Sequence, residues 1–89
     1  IAIANIYQSL EQGIRVFDSS IAGLGGCPYA KGASGNVSTE DLYYLLSNMG
    51  YDTGIDLDAL MIASQNISQV LQRTNPSNYA NAYWQKRCA

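Results

Sequence analysis

One short β-branched run, Ile14-Arg15-Val16-Phe17-Asp18, constrains this chain more than any other feature, because it is the only strand-like segment in 89 residues. It follows a stretch that sets Ile3, Ile6, Tyr7 and Leu10 at helical spacing and stops at Gly13, where a helix C-cap belongs. A helix that passes through one glycine into a buried strand is the αβ step of an alternating α/β protein, in which strands are parallel and central. A lone parallel strand leaves its backbone donors and acceptors unmatched. The expectation is that the chain is not a complete α/β domain. It reads as the last helix–strand–helix portion of a larger sheet or barrel, followed by a helical extension.

Composition narrows the chemistry. With no histidine and two cysteines, the chain alone cannot build a disulfide framework, a histidine-based zinc site, or a Ser-His-Asp or Cys-His catalytic pair. Its net charge is -2 and its five basic residues are scattered, so nucleic acid and membrane partners are not expected. No apolar run approaches the roughly 20 residues of a membrane span. Charged residues make up 13% of the chain, about half the usual share of roughly 25%. A chain this short and this poorly charged either packs very efficiently or belongs to something larger.

Beyond the strand, residues 20–38 read SIAGLGGCPYAKGASGNVS and hold five of the eight glycines. Loops of this length inside a compact domain are usually functional or disordered, and this one has too few charges to look like a linker. Thr39-Glu40-Asp41 then opens a second amphipathic helix with Leu42, Leu45, Leu46 and Met49, stopped by Gly50. Ser38 and Asp41 have the spacing of a capping box. A third helix is expected over 56–73, with Leu57, Leu60, Met61, Ser64, Ile67, Ser68 and Leu71 on one side, and a short last one over 79–86 with Tyr83 and Trp84 as docking residues. Tyr43, Tyr44 and Tyr51 are read as packing residues. The division expected is residues 1–50 as the helix–strand–loop–helix portion of the barrel and 51–89 as a C-terminal helical extension.

In parallel α/β folds, the loops leaving the carboxyl ends of the strands carry function. Here that loop is the glycine-rich one, with Gly23, Gly25, Gly26, Gly32 and Gly35, and the side chains able to do chemistry are Cys27, Asn36 and, at the exit, Glu40. Bare amides in such a loop could cradle a phosphate, although GLGG matches neither the dinucleotide fingerprint nor the P-loop. Cys27 is either a small buried apolar group or, flanked by Gly26 and Pro28, a partly exposed thiol that would need activation from elsewhere. Asn36 is either a turn residue or a neutral oxygen donor for a hard cation such as Mg²⁺ or Mn²⁺.

The run Ser20-Ile21-Ala22-Gly23-Leu24-Gly25-Gly26-Cys27-Pro28-Tyr29 resembles the signature of the 3-hydroxy-3-methylglutaryl-CoA lyase family. The likeness continues through Ala30-Lys31-Gly32-Ala33-Ser34-Gly35-Asn36 into Thr39-Glu40-Asp41-Leu42, and more loosely through Gly50 and Thr53-Gly54. It implies an α/β fold: the C-terminal part of a TIM (β/α)8 barrel, comprising the last strand, its loop and the closing helix, plus C-terminal helices. It also implies an enzyme of leucine catabolism and ketone-body formation that cleaves 3-hydroxy-3-methylglutaryl-CoA to acetyl-CoA and acetoacetate.

By position, Cys27 matches the family's catalytic cysteine, Asn36 the asparagine that completes a divalent metal site, and Glu40 an acidic residue supporting the active site. The cofactor implied is Mg²⁺ or Mn²⁺; the family's other ligands, an aspartate and a His-x-His pair, match nothing here and are expected before Ile1. The substrate implied is a small acyl-CoA, the full-length protein a homo-oligomer, and the location the mitochondrial matrix in a eukaryote or the cytoplasm in a bacterium, without secretion. Cys88, beside Lys86 and Arg87, is either a tail thiol without function or a redox-sensitive one of the kind some family members carry near the C-terminus. Rival readings are a related acyl-CoA condensing synthase or aldolase on the same barrel, and a noncatalytic helical interaction module.

Overall fold

Four α-helices carry the fold in the computed structural model, which describes residues 2–25 and 36–88. They are α1 (Ala2–Glu11), α2 (Thr39–Asn48), α3 (Leu57–Val70) and α4 (Asn78–Cys88), with one 3-10 turn at Ile21–Gly23 between the first two. Side chains placed by the sequence cap three of the N-termini. Ser38 Oγ accepts from the Asp41 amide at 3.1 Å, Asp56 Oδ1 from Ala59 at 3.2 Å, and Ser77 Oγ from Ala80 at 3.0 Å.

The first three helices end alike, in Schellman motifs. Ile14 N donates to Ser9 O, Tyr51 N to Leu46 O and Arg73 N to Ser68 O, at 3.1, 2.9 and 3.0 Å. The residue that must turn left-handed is Gly13 in α1 and Gly50 in α2, but in α3 it is Gln72, at φ 52°. The α3 helix therefore stops short of the expected 56–73, and Leu71 lies half exposed beyond it. At the other end of the chain, α4 is longer than the expected 79–86, because Ser77 starts it earlier.

Packing falls into two regions. Ile6 and Leu10 of α1 meet Leu42 of α2 in an apolar cluster flanked by Phe17, Val37, Leu45, Leu46 and Tyr51. In the second, α3 lies over the 3-10 turn, where Met61, Ser64 and Ala22 are completely buried, and Ala80 of α4 is buried as well. Tyr79 of α4 stacks on Tyr44 at 4.6 Å between ring centroids, and Tyr83 meets Trp84 edge-on at 5.0 Å. The tyrosines of α2 thus serve packing, as expected. The Arg87–Asp58 ion pair at 3.2 Å has both side chains more than half exposed, so it adds little.

The strand expected over residues 14–18 does not form. Among the described residues, β pairing is confined to one parallel bridge, Ser20 with Ser38, and residues 15–19 have no backbone partner. A strand exists only through its neighbour's hydrogen bonds, and the described residues supply none. Val16 is consequently 85% exposed and Ile14 48%. The described part is a slab of 38 × 35 × 19 Å with apolar side chains left on its surface. None of its helices is long and apolar enough to cross a membrane.

Candidate functional site

The glycine-rich loop leaves and rejoins the fold through a narrow neck. Ser20 N donates to Val37 O and Thr39 N to Ser20 O, both at 3.0 Å, and the hydroxyls of Ser19 and Thr39 lie 2.8 Å apart. One step further out, Asn36 Nδ2 donates to Leu24 O at 2.8 Å. The returning chain passes so close that a Cβ on Gly25 would stand 2.6 Å from Asn36 Nδ2, and one on Gly23 3.1 Å from Asn36 O. Both glycines also have left-handed φ, 93° and 65°. Close approach and backbone direction together require glycine there.

With Nδ2 engaged by Leu24, the Asn36 amide is oriented, and its Oδ1 accepts no hydrogen bond among the described residues. Asn36 itself is exposed. The described residues hold no cluster of three or more His, Cys, Asp or Glu side chains that could bind a metal unaided.

Glu40 lies in the first turn of α2 and points the other way, inward, with 0% exposure. Its Oε1 accepts from the Ala22 amide at 3.0 Å; its Oε2 accepts from Ser64 Oγ at 2.6 Å and Asn75 Nδ2 at 3.0 Å. Asn75 is itself fixed, its Oδ1 accepting from Ser77 N at 2.9 Å. Burying a carboxylate is tolerable only when donors surround it, and here they do, with the positive end of α2 adding to them. Ala22 sits at φ 54°, a conformation that alanine rarely adopts, held by the carboxylate on its N–H. Asp41 also turns away from the capping box expected of it. It accepts from Ser77 Oγ at 2.6 Å and Tyr79 N at 3.3 Å, so it caps α4 instead.

Of the residues singled out in the sequence, the fold brings Gly23, Gly25 and Asn36 together at the neck and sets Glu40 beneath it. Cys27, Gly26, Gly32 and Gly35 lie outside the described residues, and Cys88 closes the last turn of α4. Sequence reasoning missed Ala22, Ser64 and Asn75. A serine amid the apolar stripe of α3 was the one signal available, since a buried hydroxyl requires a partner.

The neck and its oriented amide mount the two ends of the glycine-rich loop on a helical segment. The HMGL-like family model matches residues 1–67, and the chain belongs to that family. The chain is 59% identical over 81 residues, 91% of its length, to the 3-hydroxy-3-isohexenylglutaryl-CoA/hydroxymethylglutaryl-CoA lyase of Pseudomonas aeruginosa. It is 53% identical over 81 residues to the mitochondrial hydroxymethylglutaryl-CoA lyase of mouse. These matches cover 27% and 25% of those proteins, so the chain spans about a quarter of their length. A solved hydroxymethylglutaryl-CoA lyase from P. aeruginosa superposes with a TM-score of 0.88 at 58% identity, over 96% of this chain and 28% of that one. The lyase of Acinetobacter baumannii in complex with coenzyme A and 3-methylmalate gives 0.84 at 44% identity, over 91% and 27%.

Proposed function

We propose that the chain works as the C-terminal part of a barrel enzyme that cleaves 3-hydroxy-3-methylglutaryl-CoA to acetyl-CoA and acetoacetate. The observation that carries this reading is the joint likeness, in sequence and in backbone, to the P. aeruginosa lyase. Relatives named as lyases weigh against the synthase, aldolase and noncatalytic readings. In this reading residues 1–50 belong to the barrel wall and 51–89 form the helical extension. The exposed run 14–18 then becomes the last barrel strand, paired by neighbouring strands.

The reaction breaks a carbon–carbon bond beside a tertiary alcohol. The hydroxyl proton must leave while the departing carbon becomes a thioester enolate, which is then protonated. Asn36 fits a hard divalent cation, being a neutral oxygen donor whose nitrogen is already engaged by Leu24. A cation held there, with ligands from outside the described residues, supplies polarisation of the hydroxyl and a fixed geometry. Cys27 is the proposed acid that protonates the enolate carbon, since a thiol of ordinary pKa near 8.5 is a suitable donor at neutral pH. Coenzyme A in the A. baumannii relative supports an acyl-CoA substrate.

The test is an assay of 3-hydroxy-3-methylglutaryl-CoA cleavage by the whole protein carrying this chain, with Mg²⁺ or Mn²⁺ added. Cleavage is expected, and Cys27→Ala is expected to lower kcat by about a hundredfold or more while metal binding persists. Full turnover in that variant overturns the assignment of Cys27; no cleavage in the unaltered protein overturns the function.

A further inference from the structure

The buried carboxylate of Glu40 does no chemistry in the reading above, yet three donors from three parts of the chain converge on it: the Ala22 amide, the Ser64 hydroxyl and the Asn75 amide. We propose that Glu40 is a positioning residue that sets the root of the glycine-rich loop through Ala22, and that Ser64 of α3 and Asn75 of the connection between α3 and α4 hold it in the orientation that does so. The proposal rests on the function proposed above.

The geometry gives each oxygen its own task. Oε1 is nearer the Ala22 amide, at 3.0 Å against 3.2 Å for Oε2, while Oε2 alone takes Ser64 and Asn75. Ala22 begins the run Ala22-Gly23-Leu24-Gly25. Its φ of 54° sets the direction in which the chain departs, and two residues on is Leu24, whose carbonyl orients the Asn36 amide. The path is thus continuous: Ser64 and Asn75 fix Glu40, Glu40 fixes Ala22, and the turn from Ala22 places the Leu24 carbonyl under Asn36. Residues 64 and 75 lie in the helical extension, so that extension helps to shape the loop mouth rather than merely flank it.

Glu40→Gln separates the two tasks. Its oxygen can keep the Ser64 and Asn75 bonds, because the Asn75 amide is prevented from flipping by the Ser77 N–H on its Oδ1. The new NH2 group then faces the Ala22 N–H at the nearer position, donor against donor, and leaves it only the longer 3.2 Å approach to the retained oxygen, so the loop contact is the one that is weakened. In the whole enzyme, this variant is expected to speed amide hydrogen exchange at Ala22 at least tenfold while exchange in α3 is unchanged. It is expected to lower kcat about tenfold with KM within twofold. The double variant Ser64→Ala/Asn75→Ala keeps the Ala22 contact but frees the carboxylate to swing, and a fall in kcat of about threefold is expected.

Unchanged Ala22 exchange in Glu40→Gln overturns the proposal, as does unchanged kcat in both variants. A fall in activity that merely follows a fall in melting temperature across both variants also overturns it, by reducing Glu40 to a stabiliser. If the unaltered enzyme fails to cleave the substrate, the functional reading is what fails. The exchange readout still decides whether Glu40 fixes Ala22.

Discussion

Ser77 donates its hydroxyl proton to Asp41 across 2.6 Å, and the same Ser77 oxygen accepts the Ala80 amide at 3.0 Å. An acid at the start of α2 thereby orients the N-cap of α4, and it adds a bond of its own from Tyr79 N at 3.3 Å. Glu40 and Asp41 are adjacent in sequence and reach in different directions, one to the root of the loop and one to the last helix.

Asp41→Ala removes both contacts to the first turn of α4. A loss of about 1 to 2 kcal/mol is expected, in the range of an N-cap deletion, with a smaller loss in Asp41→Asn, which keeps the acceptor oxygen. Chemical denaturation of the whole protein measures it; equal losses in the two variants would show that the charge is what matters.

Gly25→Ala places a methyl group 2.6 Å from Asn36 Nδ2 on a backbone at φ 93°. The amide must leave Leu24 to make room. Divalent cation affinity is expected to fall by about tenfold to a hundredfold, the usual effect of disturbing a group that orients a metal ligand. Titration of Mn²⁺ into the whole protein, followed by electron paramagnetic resonance, checks it.

Gln72→Gly is expected to stabilise. Gln72 ends α3 at φ 52°, where a Cβ is disfavoured and glycine is not. After the extra freedom glycine gives the unfolded chain, a gain of about 0.5 to 1 kcal/mol remains. A higher melting temperature is the readout.

Tyr79 and Tyr83 give α4 a pH dependence at the alkaline end. Burial, then the neighbouring Tyr43 and Tyr44, raise the pKa of Tyr79 above its ordinary 10.0. The hydrogen bond to Asp58 raises that of Tyr83 above 10.0. Both groups hold protons more tightly when folded, so their stabilisation is complete below pH 10 and is lost as pH rises through the folded values. Ultraviolet titration is expected to show late-ionising tyrosines, fewer of them in Tyr79→Phe, and thermal stability is expected to fall only above pH 10.

The helices were readable because their signals are local: Ile6 and Leu10 at helical spacing, Gly13 and Gly50 as stops, Ser38 as a cap. So was the loop neck in outline, since Gly23, Gly25 and Asn36 stand in one run. The run over 14–18 was legible as strand-like but does not form a strand, because β-branched residues specify one only when a neighbour accepts their hydrogen bonds, and the described residues supply no such neighbour. The Glu40 assembly was invisible because its members lie 18, 24 and 35 residues away in sequence, and no periodicity relates a carboxylate to a distant amide. Asp41 shows the same limit: its spacing from Ser38 was correct, but its carboxylate found Ser77 on a helix that sequence patterns do not connect to it.

The bare run from Ile14 to Ser19 also decides how the polypeptide behaves at the bench. With Val16 85% exposed and no backbone partner at residues 15–19 among the described residues, it offers any second copy an edge to add to. Expressed as these 89 residues, the chain is expected to associate as its concentration rises. A charged residue in place of Val16 would then improve its solubility, and in the barrel proposed above the same change is expected to damage the wall.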